Sequence, residues 1–355
     1  MGIVVTGSAG MLGSTLLRRL RETGRPALGV DLDPGDPNAA GPNGDGPDRD
    51  GLDRVRREAA ADIRDTARMT ELLAGADAVV HCASALPSYP DDEIHSVIVE
   101  GTRSVLTAAR DAGVPRVVHI SSTAVYGLPK LVPTPEDHPR EPVDPYSRAK
   151  AAAEEVAEKF RADGLCVPII RPKTFLGPGR MGLFAMLFEW AEEGHGFPVL
   201  GRGGARIQML AIDDLVDAIL LVLDAPDDVA NDTYNIAAAE FATLREDFQA
   251  VLDAAGHGRR VRSVPAGPAL ALLRMLGRTG LSPVYDRLLY KLLDDSYVAI
   301  GKARDRLGFA PRHSNRDAIL GAYAWWRENA RAKTAGRTSR DAWRQGALSL
   351  VKFLF

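Results

Sequence analysis

The chain has 355 residues, 45% hydrophobic and 26% charged, with 44 basic against 47 acidic side chains and a formal net charge of −3. That balance is ordinary for a soluble globular protein and argues against bulk nucleic-acid binding, while the length allows one large α/β domain or two smaller ones. Cys82 and Cys166 stand in separate segments, so neither a disulfide framework nor a cysteine-based zinc site can be built from them.

From the start, apolar strand-like runs alternate with helix-like ones: a strand over 3–5, a helix over 12–22, a strand over 27–31. That alternation predicts a parallel sheet flanked by helices. Further strand candidates cover 78–81, 116–120 and 167–171, the first two ending where small or hydroxyl residues begin. Ligand sites belong at such C-terminal strand ends. Between 34 and 51 the sequence is dominated by Pro, Gly, Asp and Asn, which predicts a surface loop.

After Gly177 the pattern changes to helices over 183–193, 243–255, 269–276 and 285–294, with little strand between them. Segments 207–210, 213–223 and 234–236 read again as sheet and helix of the first unit. The expected division is therefore interleaved: 1–172 with 205–238 as a dinucleotide-binding domain, 173–204 with 239–330 as a substrate domain, and 331–355 as a tail. The tail carries Arg331, Lys333, Arg337, Arg340, Arg344 and Lys352 against Asp341, then an apolar end from Ala347 to Phe355. It is expected to pack on the body or a second subunit, with weak contact to an anionic membrane surface as the alternative.

No apolar run reaches the roughly 18 residues that span a bilayer, and the N-terminus has no basic stretch followed by an apolar core and cleavage site. Cysteine usage then favours a cytoplasmic setting. Met1, Gly2 and Thr6 match a myristoylation pattern, but Gly2 opens a strand-like segment and is expected to be unavailable.

Thr6 to Gly13 lies between the first strand and an amphipathic helix. Gly7, Gly10 and Gly13, with Ala9, Met11 and Leu12 among them, permit a tight turn, close approach of a pyrophosphate and a helix N-terminus facing its charge. Asp31 ends the second strand, where a carboxylate accepts hydrogen bonds from a ribose diol and repels a 2′-phosphate, so NAD is favoured over NADP. Asp33 is a nearby competitor. Asp62 and Ile63 are placed to meet an adenine ring by hydrogen bond and apolar contact, with a helix cap as the plainer reading of Asp62.

Tyr146 and Lys150 are four residues apart, which puts both on one face of a helix. A lysine ammonium beside a phenol stabilises the phenolate and makes it a usable base. Ser122, just after the strand ending at Ile120, presents a hydroxyl to orient the reacting group. His81 and His119 read as structural residues, and no metal constellation appears.

With these residues the sequence resembles the extended short-chain dehydrogenase/reductase family, and within it the NAD-dependent epimerase/dehydratase group, over residues 1 to about 330. The motifs are Thr6 to Gly13, Asp31, Asp62-Ile63, His81-Cys82-Ala83-Ser84, Gly101-Thr102, Ser122 before Val125-Tyr126-Gly127, Tyr146 with Lys150, Arg171-Pro172 leading to Gly177-Pro178-Gly179, and Asp213-Asp214-Leu215. The resemblance implies a Rossmann-type doubly wound parallel sheet with a smaller, mainly helical C-terminal substrate domain. It implies NAD, a homodimer, a Ser122–Tyr146–Lys150 catalytic set whose Tyr146 and Lys150 also contact the cofactor, the glycines at the pyrophosphate, and Ala83 and Pro172 near the nicotinamide with Cys82 and Ser84 beside them.

Ala85, Ser122, Thr123, Lys173, Thr174 and Arg206 are the candidate substrate contacts, Lys173 and Arg206 as cations for a phosphate or carboxylate. Three departures bear on the substrate. Ile98 and Thr174 stand where the group usually carries asparagines, and both weaken a nucleotide-sugar assignment. Thr123-Ala124 replaces the Asp-Glu of 4,6-dehydratases and disfavours elimination.

The expectation is an NAD-dependent epimerase acting on a sugar hydroxyl, of a nucleotide-sugar, through a transient keto intermediate with Tyr146 as base. The alternative is an NAD-dependent dehydrogenase or ketoreductase of a sterol-like or lipid-linked alcohol. A non-catalytic NAD-binding scaffold is a third reading, opposed by retention of Ser122, Tyr146 and Lys150.

Overall fold

A computed structural model describes residues 2–33, 57–179, 183–271 and 293–329. The predicted loop over 34–51, most of the helix candidates over 269–276 and 285–294, and the tail over 331–355 lie outside the described residues.

The elements run β1 (Ile3–Thr6), α1 (Met11–Glu22), β2 (Ala27–Asp31), β3 (Arg57–Ala60), α2 (Thr66–Leu73), β4 (Ala78–His81), α3 (Asp91–His95), α4 (Gly101–Asp111), β5 (Val117–Ile120), α5 (Pro145–Ala162), β6 (Ile169–Pro172) and β7 (Phe175–Leu176). They continue with α6 (Leu183–Glu192), β8 (Phe197–Leu200), β9 (Leu210–Ala211), α7 (Ile212–Asp224), α8 (Asp227–Ala230), β10 (Thr233–Ile236), α9 (Leu244–Ala255), β11 (Val261–Val264), α10 (Gly301–Leu307) and α11 (Asn315–Asn329). Seven strands form one parallel sheet in the order β10-β6-β5-β4-β1-β2-β3.

The strands are short and apolar on both faces because both faces are covered. Val5, Val80, Val118 and Ile170 join a core with Leu16 and Leu20 of α1 and Leu215 and Ile219 of α7. Val4, Val79, Val117 and Ile169 point the other way, to Met69 of α2, Val105 of α4 and Val156 of α5. From β1 the chain builds outward through β2 and β3, then returns to β4 and builds the other way. The strand order therefore reverses between β1 and β4, where open parallel sheets leave a crevice at the strand ends.

A third core gathers Phe184, Phe188, Trp190, Phe197, Phe248, Val251, Ile319 and Tyr323. It differs from the sequence reading in two respects. Residues 210–211 pair with β7 in a separate two-stranded sheet rather than entering the large one. β8 and β11 form a further parallel pair in the stretch read as helical, since a four-residue alternation such as buried Phe197 and Val199 with half-buried Pro198 and Leu200 is too short to register as a period.

Buried polar groups tie this region to the sheet. Asp214, at the start of α7, accepts from the backbone N–H groups of Arg312 and His313. Asn315 accepts from Met209 N and donates to Ile207 O and the Asp247 carboxylate. Burial raises the Asp247 pKa to about 6. Among the described residues, no helix is long and apolar enough to cross a membrane and no group of three or more His, Cys, Asp or Glu side chains could hold a metal ion.

Candidate active site

One cleft of about 750 Å³ runs across the C-terminal ends of β1, β2, β4, β5 and β6. Its floor is the β1–α1 turn. Gly7 sits at φ +71°, and a Cβ there would lie 2.7 Å from Ala83 N, while a Cβ on Gly13 would lie 2.2 Å from the Gly7 carbonyl. Glycine is thus required to bring the turn against the end of β4 and onto its own helix. Gly10 caps α1 without a side chain, so the positive end of a twelve-residue helix opens on the cleft.

At one end of the cleft Asp31 accepts from Ala9 N at 3.0 Å and Leu32 N at 2.8 Å. Its carboxylate is thereby fixed beside the glycine turn. Asp33 lines the same end. Asp62 is clamped by Arg64, through the backbone N–H at 2.9 Å and the guanidinium. That pairing holds the Asp62 carboxyl below its usual range. It also means that the cation at this end is matched by a carboxylate already.

At the other end stand Ser122, Tyr146 and Lys150. α5 begins just before Tyr146 because Asp144 accepts from Ser147 N at 2.7 Å, Ser147 Oγ accepts from Asp144 N, and Pro145 occupies the first turn. A capping box and an N1 proline are strong local start signals. Lys150 is buried, and its Nζ donates to the Ile120 carbonyl at 2.9 Å. Burial lowers its pKa to about 8, although Cys82 and Glu154 push the other way. Ser122 Oγ accepts from Ala124 N at 3.1 Å, capping the short helix Thr123–Tyr126. The hydroxyl keeps a proton to donate.

Below this end lies a buried polar row. Thr6 Oγ1 and His81 Nδ1 are 2.8 Å apart, His81 Nε2 and Thr102 Oγ1 3.2 Å. The His81 and His119 rings pack 5.8 Å apart. Burial pulls the His119 pKa down to about 3 and that of His81 well below its ordinary value.

A parallel sheet thus carries a glycine turn at its switch point, an acid at the end of β2, and a serine, tyrosine and lysine at the far end of one cleft, the arrangement expected of a dinucleotide site in an open α/β sheet. The NAD dependent epimerase/dehydratase family model matches residues 3–237. The chain belongs to the NAD-dependent epimerase/dehydratase family. It is 33% identical over 233 residues to a UDP-glucose 4-epimerase of Mycolicibacterium smegmatis, covering 62% of this chain and 72% of the relative. It is 30% identical over 345 residues to a 3β-hydroxysteroid dehydrogenase/Δ5→4-isomerase of Mycobacterium tuberculosis, covering 89% and 88%. Its fold matches the dTDP-glucose 4,6-dehydratase DesIV of Streptomyces venezuelae, a double mutant solved with NAD, at a TM-score of 0.71 and 28% identity over 93% of this chain and 98% of that one.

The chain is thus an NAD-dependent enzyme by family, and its own residues fit that cofactor. The glycine cradle leaves the backbone open where a Cβ would collide, the α1 N-terminus opens on the cleft where it would meet a pyrophosphate, and the Asp31 carboxylate would repel a 2′-phosphate.

The cleft brings together Gly7, Ala9, Gly10, Met11, Leu12, Gly13, Asp31, Asp62, Ile63, Cys82, Ala83, Ser84, Ala85, Ser122, Thr123, Tyr146, Lys150, Pro172, Lys173 and Thr174. Arg206 is not among its lining residues. The Arg206 guanidinium is exposed and bound to Asp295 and the Tyr297 hydroxyl, and the segment that carries it forms a bridge to Thr243. Ile98 is buried in the core behind the cleft. Lys173 is buried and donates from Nζ to Ser296 Oγ at 2.8 Å. Sequence reasoning missed Arg64, Glu93, Val97 and Phe175 as lining residues. For Arg64 a signal was present: it follows Asp62-Ile63 directly.

Proposed function

We propose that this enzyme epimerises a sugar hydroxyl, of a nucleotide-sugar, by oxidation to a keto intermediate and reduction on the opposite face. The observation that carries the reading is the composition of the cleft end around Ser122. Tyr146 and Lys150 stand there with Thr123 and Ala124, and the Thr123 hydroxyl donates to the Pro172 carbonyl at 3.3 Å. The carboxylates lining the cleft among the described residues are Asp31, Asp33, Asp62 and Glu93. Asp31 and Asp62 are engaged at the glycine-turn end as described. Glu93 stands close enough to Arg64 to stabilise its charge. An acid and base for removing water from the sugar are therefore not offered beside Ser122, and reversible oxidation is the chemistry the side chains support.

In this mechanism Ser122 holds the reacting oxygen by a hydrogen bond and Tyr146 takes its proton. Lys150, fixed by the Ile120 carbonyl, supplies the positive charge that favours phenolate over phenol. Bound NAD supplies reversible hydride acceptance at the adjacent carbon. Tyr146 then returns the proton when the ketone is reduced. Lys173 would meet an anionic group of the substrate, with Ala85 and Thr174, which line the same cleft, as further substrate contacts. The enzyme acts in this reading as a cytoplasmic homodimer with the interleaved domain division given above.

A second reading is a dehydrogenase of a sterol-like or lipid-linked alcohol. It is favoured by the apolar side chains Leu86, Pro87, Tyr89, Val97 and Phe175 along the cleft, and by likeness to the hydroxysteroid dehydrogenase. Incubation with UDP-glucose, UDP-glucuronic acid and dTDP-glucose, followed by NMR, tests the proposal. Inversion at one carbon with no net NADH is expected. Loss of water from the sugar would overturn it, and NADH formed from a 3β-hydroxysteroid with the sugars unchanged would establish the second reading.

A further inference from the structure

Glu154 is a wholly buried carboxylate one turn beyond Lys150 on the same face of α5. Burying such a charge is costly unless it is paired and hydrogen-bonded. Here it is met from two strands and a loop. Arg171, at the end of β6, donates to it twice, Nε to Oε1 at 2.8 Å and Nη2 to Oε2 at 2.6 Å. Ser121, just after β5 and next to Ser122, donates its hydroxyl. Arg140, in the loop leading to α5, adds a fourth hydrogen bond at 3.2 Å.

The arginine is itself anchored. Its Nη1 donates to the Tyr126 hydroxyl at 2.7 Å and to the Glu136 carbonyl at 2.9 Å, and its guanidinium lies 5.0 Å from the centre of the Tyr126 ring. Tyr126 in turn donates to Asn235 of β10. One carboxylate therefore binds the residue before Ser122, the helix that carries Tyr146 and Lys150, and the residue before Pro172. These are the three segments that form the reactive end of the cleft.

The groups facing Lys150 are Tyr146 and Glu154 on its own helix, Cys82 and His81 at the end of β4, and His119 on β5. Burial pushes the Cys82 thiol up to about 12 and the His119 ring down to about 3, so both are neutral at pH 7, as is His81. The negative charge in this set is that of Glu154.

We propose that Glu154, through its ion pair with Arg171 and its hydrogen bond from Ser121, is a positioning residue for the proton-transfer set, locking its three segments together and holding Lys150 in the charged form. This rests on the reading of Tyr146 and Lys150 given above, and the test separates the two.

The test uses the full chain loaded with NAD and lysine isotope-labelled at Cε, with the Lys150 signal assigned by Lys150→Met. Its pH titration is followed by NMR in wild type, Glu154→Gln and Glu154→Asp. Glu154→Gln is expected to lower the Lys150 midpoint by about one pH unit, whereas Glu154→Asp keeps the charge and stays near wild type. A Lys150 midpoint unmoved in folded Glu154→Gln overturns the proposal.

Should Glu154→Gln not fold because Arg171 is left unpaired, Glu154→Gln with Arg171→Gln takes its place. The midpoint in the double variant is expected to lie below that of Arg171→Gln alone, since the two differ only by the Glu154 charge, and equal midpoints in these two folded proteins overturn the proposal equally. Turnover of Tyr146→Phe on UDP-glucose reports on the proton-transfer reading and not on Glu154. An unmoved Lys150 midpoint alongside a dead Tyr146→Phe therefore discards the Glu154 role alone.

Discussion

The two halves of the cleft are built differently. The half under the glycine turn is made largely by backbone: Gly7 at positive φ, the α1 N-terminus, Ala9 N bound to Asp31. The half beyond Ser122 is made by side chains from segments distant in sequence, with Lys173 meeting Ser296 and with Phe175, Leu86, Pro87 and Tyr89 lining the same cavity. A backbone cradle tolerates few sequences and announces itself. A side-chain pocket can be rewritten one residue at a time, and so determines the substrate without a readable code.

Substitutions in each half should separate the two contributions. The largest effect is expected from Tyr146→Phe, which should cut turnover by about 10³-fold while released nucleotide shows NAD retained. Loss of NAD with turnover would mean that Tyr146 serves the cradle rather than the chemistry. Gly7→Val should follow, costing about 2 kcal/mol or more because a side chain is forced into positive φ against Ala83. Urea unfolding reads that cost, and NAD content should fall with it.

The polar row beneath the cleft gives a pH signature. His119 is held neutral when folded, with its pKa lowered to about 3, whereas the unfolded ring titrates near 6.5, so between these values the unfolded state binds more protons. Stability contributed by keeping this ring neutral is present above that window and is lost as pH falls through it. The slope is about 1.4 kcal/mol per pH unit. His119→Leu should therefore flatten the acid limb of urea stability measured between pH 6 and 4 (approximate bounds of the steep part), and an unchanged limb would refute a buried neutral ring.

The smallest effect belongs to the substrate half. Lys173→Met should raise KM for UDP-glucose about tenfold, the size of one charge-assisted hydrogen bond, without changing NAD content. If NAD content falls instead, the boundary between the halves is misplaced.

The same contrast explains what could be read beforehand. The alternation of strands and helices, the turn from Thr6 to Gly13 and the Tyr146–Lys150 pair were legible because each depends on local spacing. Arg206 could be read as a cation for a phosphate or carboxylate or equally as a solvated surface charge, and in the structure Asp295, 89 residues on, holds its exposed guanidinium. The Glu154–Arg171 pair was likewise hidden, although Tyr146, Lys150 and Glu154 recur every fourth residue. Periodicity shows that they share a face, and only the fold shows that Arg171 and Ser121 meet that face.

The central claim is that the cofactor is held by this chain and recycled in place. Denaturing freshly purified, dialysed protein and identifying the nucleotide released tests it most directly. Close to stoichiometric NAD is the result expected. Protein that emerges empty, binding NAD weakly and reversibly, or that releases NADP, would contradict it.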